Sequence, residues 1–423
     1  MNFLEITTLL LLLASFFSII NLRVLKLPQT IGLMILAIIL SIFVLIVGTI
    51  SPAFLEAATS LTTSFDFSVL LIDVMLPFLL FAGAISVNVH ELFKDKVTIL
   101  FLASFGVVFS TFVVGSGLFW LIEQPFFGLN EMGLTYVDCL LFGALIAPTD
   151  PIAVLSIVKK LNLSSVTETR IAGESLFNDG IGVVLFLTLL NVKSLGVENI
   201  TPLGVGELFA VEVFGGVILG SVIGYLGLKL VQYIENEHVE LEVLITLSLV
   251  LLVSSVCTKF HFSAPLGVVM LGLFLNANLD MDKIEVGVQK AMGDYVYKFW
   301  HLLDETLNAI LFILIGLEVI PIFQNFTPIY LLISVIVIFI VVVSRGIGVS
   351  IPIKILSFFR TFEKKTSLII TWGGLRGGLS IALALNLPDQ IGEGKELILF
   401  LTYMVVTFTI LFQGLTLEKL AKS

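Results

Sequence analysis

Apolar runs, each close to the ~20 residues a helix needs to cross a bilayer, recur thirteen times along this chain with short connections between them. They lie near 3–21, 28–48, 67–87, 98–121, 136–158, 170–191, 208–231, 241–257, 262–277, 297–320, 329–353, 366–385 and 397–417. Only 13% of the residues are charged and 58% are hydrophobic, against roughly 25% charged in a soluble domain. The chain therefore reads as an all-α polytopic membrane protein with about thirteen transmembrane helices. The first run, "MNFLEITTLLLLLASFF", has no basic leader and contains Glu5, so it reads as a retained helix and not as a cleaved signal. Cys139 and Cys257 fall inside apolar runs, which argues against a disulfide framework.

Loop charge gives an independent test of that count. Taking alternate connections, one set holds Arg23, Lys26, Lys94, Lys96, Lys159, Lys160, Arg170, Lys229, Lys283, Lys290, Lys354, Arg360, Lys364 and Lys365, with Lys419 and Lys422 in the tail. The other set holds Lys193, Lys259 and Lys395. Sixteen against three is a strong positive-inside asymmetry. It places the N-terminus outside and the C-terminus in the cytoplasm of a cell membrane.

Two runs are broken at their centres. The fifth contains "ALIAPTDPIAV", where Pro148 and Pro151 bracket Thr149 and Asp150. Proline removes an amide donor and clashes with the preceding turn, so this pair predicts an unwound segment. The twelfth contains "WGGLRGGLS", where Gly373, Gly374, Gly377 and Gly378 flank Leu375 and Arg376. Broken helices at membrane depth survive only where protein or a watery cavity satisfies the freed backbone. These two runs are seven positions apart and cross in opposite directions. Repeat one (about 1–192) and repeat two (about 241–420), joined by a linking helix at about 208–231, would then be two inverted six-helix repeats with crossed discontinuous helices. Such matched interruptions point to a transporter's binding site. No long soluble loop or nucleotide-binding loop is present, which argues against an ATP-driven pump and against nucleic-acid binding.

Depth follows from the flanking charges. Asp150 is nine residues before Lys159, Asp179 nine after Arg170 and Arg376 eleven after Lys365. At 1.5 Å per residue these lie ~14–17 Å into a ~30 Å core, near its midplane. Within the sixth run, "AGESLFNDGIG", Glu174 and Asn178 share one helical face and Ser175 and Asp179 the adjoining one. With Asp150 and the loosened carbonyls around Thr149, these groups predict an oxygen cage. A poorly solvated carboxylate needs a counter-charge, and either a proton or a metal ion supplies it.

The structural alternatives differ by residue. Glu174 and Arg376 are expected to pair across the sixth and twelfth runs, and such a pair serves to hold helices together as readily as to serve an ion. Carboxylates within a membrane are functional by default, which favours Asp150 and Asp179 as site residues. Arg345, in "VVVSRGIG", is placed nearer the cytoplasmic end, where it snorkels. Asp73, Asp138, Glu212 and Glu318 are assigned to the outer face or a vestibule. His90, His238, His261 and His301 have no metal-ligand spacing.

"TDPIAV", "ESLFNDG" and "WGGLRGGLSIALAL" resemble the matching segments of the NhaP-type Na⁺/H⁺ antiporters and their eukaryotic Na⁺/H⁺ exchanger relatives. "MLPFLLFAGAISV" is similar to a further family segment, with Ala82 where many members carry an acid. The resemblance implies a homodimer in the lipid bilayer, with a six-helix core moving against a dimerisation unit. It implies Na⁺ ligands at Asp179, Asp150, Ser175 and the Thr149 backbone, with Glu174 reaching the ion through water. Asn178 and Arg376 would organise the site. The Asn178-Asp179 pair implies the electroneutral branch, exchanging one cation for one proton with no cofactor. The eukaryotic relatives' regulatory tail is expected to be absent. The preference among Na⁺, Li⁺ and K⁺ stays open. The competing classes are a cation channel, which matched broken helices argue against, and an intramembrane aspartyl protease. The nearest protease-like motif, "AMGD" at 291–294, lies in a charged loop.

Overall fold

The computed structural model describes residues 3–63, 69–150, 154–155, 158, 164–196, 201–233, 239–276, 288–324, 327–363 and 365–422. The described residues are helical almost throughout and contain no strand. In chain order the helices are α1 (Phe3–Ile20), α2 (Gln29–Ile50), α3 (Pro52–Thr63), α4 (Leu76–Ser86), α5 (Val89–Lys94), α6 (Lys96–Ile122), α7 (Tyr136–Ile146), α8 (Ser165–Leu195) and α9 (Pro202–Tyr233). There follow α10 (Val239–Lys259), α11 (Ala264–Asn276), α12 (Val288–Leu317), α13 (Val319–Gln324), α14 (Pro328–Leu356), α15 (Thr366–Trp372), α16 (Gly378–Leu385), α17 (Glu393–Phe408) and α18 (Gly414–Lys422). Nine helices among the described residues are long and apolar enough to cross a membrane, and Leu70–Ser86, Tyr136–Ile146 and Ala264–Asn276 are shorter apolar helices. The protein is a multi-pass membrane protein.

Apolar stripes on the outer surface fit that setting. Phe43 and Ile46 on α2, Phe214 and Ile218 on α9, and Val335 and Phe339 on α14 are all exposed. Their spacing of three or four residues lays each pair along one helical face, a pattern that hydrocarbon covers and water does not.

Inside the membrane, close backbone approach replaces the hydrophobic drive between helices. Gly216, Gly220, Gly224 and Gly227 form the buried face of α9. A Cβ on Gly220 would lie 2.1 Å from the carbonyl oxygen of Gly267, so α9 and α11 touch backbone to backbone. Larger side chains fill the wider gaps. Trp300 of α12 is fully buried, with its ring centre 4.4 Å from that of Phe81 and its indole N–H donating to Thr246 at 3.0 Å.

Two short helices, α3 and α5, stand where connections were expected. The Asn88 side chain accepts from the Glu91 N–H at 3.1 Å, so α5 begins on an ordinary N-cap. Beside it Asp95, buried, pairs with Arg170 of α8, whose guanidinium also lies 4.5 Å from the centre of the Phe362 ring. At the opposite end, Asp138 caps α7 through Thr135 and pairs with Lys193 of α8. Asp138 is thus a structural clamp. Glu212 and Glu318, assigned to an interface or vestibule, are instead buried among helices.

Candidate functional site

Both expected interruptions are present. Helix α7 stops at Ile146, and Pro148, Thr149 and Asp150 are non-helical. Pro151 lies outside the described residues. The segment Gly373–Gly377 separates α15 from α16. The two breaks meet: the Asp150 N–H donates to the Leu375 carbonyl at 2.7 Å. Glycine permits that approach, since a Cβ on Gly377 would sit 2.8 Å from Asp150 Cβ and 3.0 Å from its Oδ2. Likewise a Cβ on Gly374 would sit 2.6 Å from Arg345 Nε.

Arg376, 1% exposed, projects from the second break into the first. Its guanidinium donates to the carbonyls of Ala147 and Pro148, the latter at 3.0 Å. The last carbonyls of a helix lack intrahelical donors and carry its negative dipole end, so a cation is the natural group to answer them. The backbone N–H of Arg376 is itself satisfied by Thr409 at 3.1 Å. Arg376 therefore splints the two interruptions.

Glu174 has a different partner from the one expected. Arg345 of α14 grips it with two parallel bonds, Nη1 to Oε1 at 2.7 Å and Nη2 to Oε2 at 2.8 Å. Glu174 is 2% exposed and Arg345 6%, so Arg345 does not snorkel. The distance from Lys354 already shows why: Arg345 is nine residues before it, the same offset that puts Asp150 near the midplane. Arg376 is committed to the carbonyls of the first break, and α14 presents the free guanidinium to α8.

The rest of α8 reads the unwound backbone of the first break. Ser175 Oγ donates to the Thr149 carbonyl. Asn178 Nδ2 donates to Thr149 Oγ1 at 2.7 Å and to Glu174 Oε1 at 3.0 Å, while its Oδ1 accepts from the Thr149 N–H at 3.1 Å. Thr149 is held at its N–H, its hydroxyl and its carbonyl by one turn of α8. Asp179, half-buried, makes no hydrogen bond or ion pair among the described residues and lies within electrostatic reach of Asp150, Glu174 and Arg376. The structure thus brings together Thr149, Asp150, Glu174, Ser175, Asn178, Asp179, Arg345 and Arg376. Pro148 closes against α8, where a Cβ on Gly182 would sit 2.4 Å from its ring.

A multi-pass helical protein whose two interrupted helices cross at a buried polar centre is a membrane transporter. More narrowly, the chain belongs to the sodium/hydrogen exchanger family: the sequence profile described as "Sodium/hydrogen exchanger, transmembrane" matches residues 11–423. It is 39% identical to the Na⁺/H⁺ antiporter NhaP of Pseudomonas aeruginosa over 99% of this chain and 95% of that one. It is 33% identical to the Na⁺/H⁺ antiporter NhaH of Halobacillus dabanensis over 98% and 96% of the two chains. The solved structure of the sodium proton antiporter MjNhaP1 from Methanocaldococcus jannaschii at pH 8 shares the fold, with a TM-score of 0.72 at 20% identity, covering 98% of this chain and 97% of that one. The family comprises transporters, not enzymes.

Proposed function

We propose that this protein is a secondary antiporter that exchanges a monovalent cation, Na⁺ or Li⁺, for H⁺ one for one, with K⁺ as the alternative cation. The observation that carries the reading is the charge balance at the crossing. Asp150, Glu174 and Asp179 bring three negative charges and Arg345 and Arg376 two positive ones. With all five ionised the centre is left one positive charge short of neutral. One proton or one monovalent cation completes it, and a second does not. Burying an uncompensated charge is costly, so the loaded centre moves through the membrane more readily than the empty one.

In this reading Asp179 is the shared carrier, because Glu174 is already held by Arg345 and Asn178. Asp179, Asp150, Ser175 Oγ and the Thr149 carbonyl supply the Na⁺ ligands, with Glu174 acting through water. Asn178, Arg345 and Arg376 hold Thr149 and both breaks in place. Similarity to the NhaP and NhaH antiporters supports exchange over channel conduction. The loop-charge asymmetry supports an outside N-terminus and a cytoplasmic C-terminus, and the family supports a homodimer.

The test is exchange in proteoliposomes under an imposed pH gradient, comparing Na⁺, Li⁺ and K⁺ with the membrane potential clamped to zero. Wild-type protein should dissipate the gradient on cation addition, and Asp179→Asn should not, while remaining folded. Exchange at the wild-type rate in Asp179→Asn would reject the shared-carrier reading.

A further inference from the structure

One face of α12 opposes the broken helix and carries polar groups that the site above does not use. Leu311 presses into the second break: a Cβ on Gly378 would sit 2.3 Å from Leu311 Cδ1. Asn308 and Asp304 stand three and seven residues before Leu311, so the three side chains share a helical face. Asp304 is then about 10 Å along the axis from Leu311 at 1.5 Å per residue. Leu311 packs on Gly378 and the adjoining Gly377 packs on Asp150, so this face of α12 lies beside the crossing.

The bonding of this pair leaves oxygen atoms in excess. Asn308 Nδ2 donates to the Asp304 carbonyl at 2.8 Å and to Asp304 Oδ1 at 3.0 Å. Asn308 is 3% exposed, and its Oδ1 is buried with no hydrogen-bond partner among the described residues. Asp304 makes no ion pair among the described residues. A buried amide oxygen without a protein donor is uncommon, and a bound water or an ion is what satisfies it. Here the open valences are all acceptors, a carboxylate and an amide oxygen. That is a donor set for a hard cation and not for an anion.

We propose that Asp304 and Asn308 form a second, outlying cation site, where a partly dehydrated alkali cation pauses on α12 before passing to Asp150 and Asp179. The inference rests on the antiport reading above and adds a residue pair that sets cation affinity. On the orientation proposed there, the pair lies on the cytoplasmic approach. A cation held at Asp304 is drawn inward by the negative charge left at the crossing, so the two sites fill in sequence.

The experiment measures exchange against cation concentration in proteoliposomes of the full chain, for wild type, Asp304→Asn, Asn308→Leu and Asn308→Asp. The first two substitutions should raise the half-saturating Na⁺ concentration about three- to tenfold, with a smaller change in maximal rate. Asn308→Asp adds an anionic ligand and should lower it, a gain that misfolding cannot imitate. Asn308→Leu removes an oxygen without changing charge, so its effect should persist in added choline chloride. Loss of both effects in that salt would show diffuse attraction and overturn the site. Unchanged half-saturation in all three variants, alongside an inactive Asp179→Asn, would overturn the outlying site while leaving antiport intact. A wild-type protein that exchanges no cation for H⁺ would remove both readings.

Discussion

At the residue scale the decisive contact is the two-bond grip of Arg345 on Glu174, deep among four helices. Removing one member of a buried ion pair leaves the other charge uncompensated, at a cost of about 3–5 kcal/mol. Arg345→Leu should therefore lower the melting temperature sharply, and adding Glu174→Gln should restore part of the loss. Arg376→Leu should couple more weakly with Glu174→Gln, because Arg376 bonds the Ala147 and Pro148 carbonyls and reaches Glu174 only through space. Thermal melts of the wild type, the three single variants and the two doubles measure this coupling. Stronger coupling of Glu174 to Arg376 than to Arg345 would contradict the assignment. The residues on α8 were legible in the sequence because a helical spacing of four sets their faces without any tertiary knowledge. The choice between two guanidiniums was not. It depends on how α14 rotates against α8, and residue spacing within one helix carries no information about another. The same holds for Asn308, whose orphaned oxygen exists only once its neighbours are in place.

At the scale of elements, the crossing depends on backbone proximity that one methyl group should disturb. Gly377→Ala would place a Cβ 2.8 Å from Asp150 Cβ, inside van der Waals contact, so the breaks must part. Overpacking of this kind costs about 1–3 kcal/mol, and exchange should fall at least about tenfold as the Asp150–Leu375 bond is lost. Gly206→Ala on α9 is the matched control, because nothing lies within 4 Å of its added methyl. It should leave exchange and the melting temperature near wild type. Equal rates in the two variants would show that the breaks need not touch. Both interruptions were readable from composition, since paired prolines and clustered glycines disfavour continuous helix whatever surrounds them. Their contact was only implied by the inverted topology. Hydropathy alone does not mark the short helices α3 and α5, which are too short and too polar to read as spans. Pro52 at the first helical position and Asn88 three residues before Glu91 are the signals that mark them.

At the scale of the whole molecule, helices packed through glycine faces carry, on the reading proposed above, a centre whose charge is complete only when one cation or one proton is bound. On that reading the two cargoes are linked by competition and not by a relay. With Arg345 and Arg376 each committed to a partner, no third basic group among the described site residues stands ready to take the place of the cargo. The measurement that tests this most directly is the Na⁺ dissociation constant of the purified protein as a function of pH, by titration calorimetry with Asp179→Asn as reference. Competition at one carboxylate predicts that affinity weakens about tenfold for each unit of pH below the apparent pKa of the site, levels off above it, and is absent in Asp179→Asn. Affinity that stays constant across that range, or that weakens about a hundredfold per unit, would contradict one-for-one competition at Asp179.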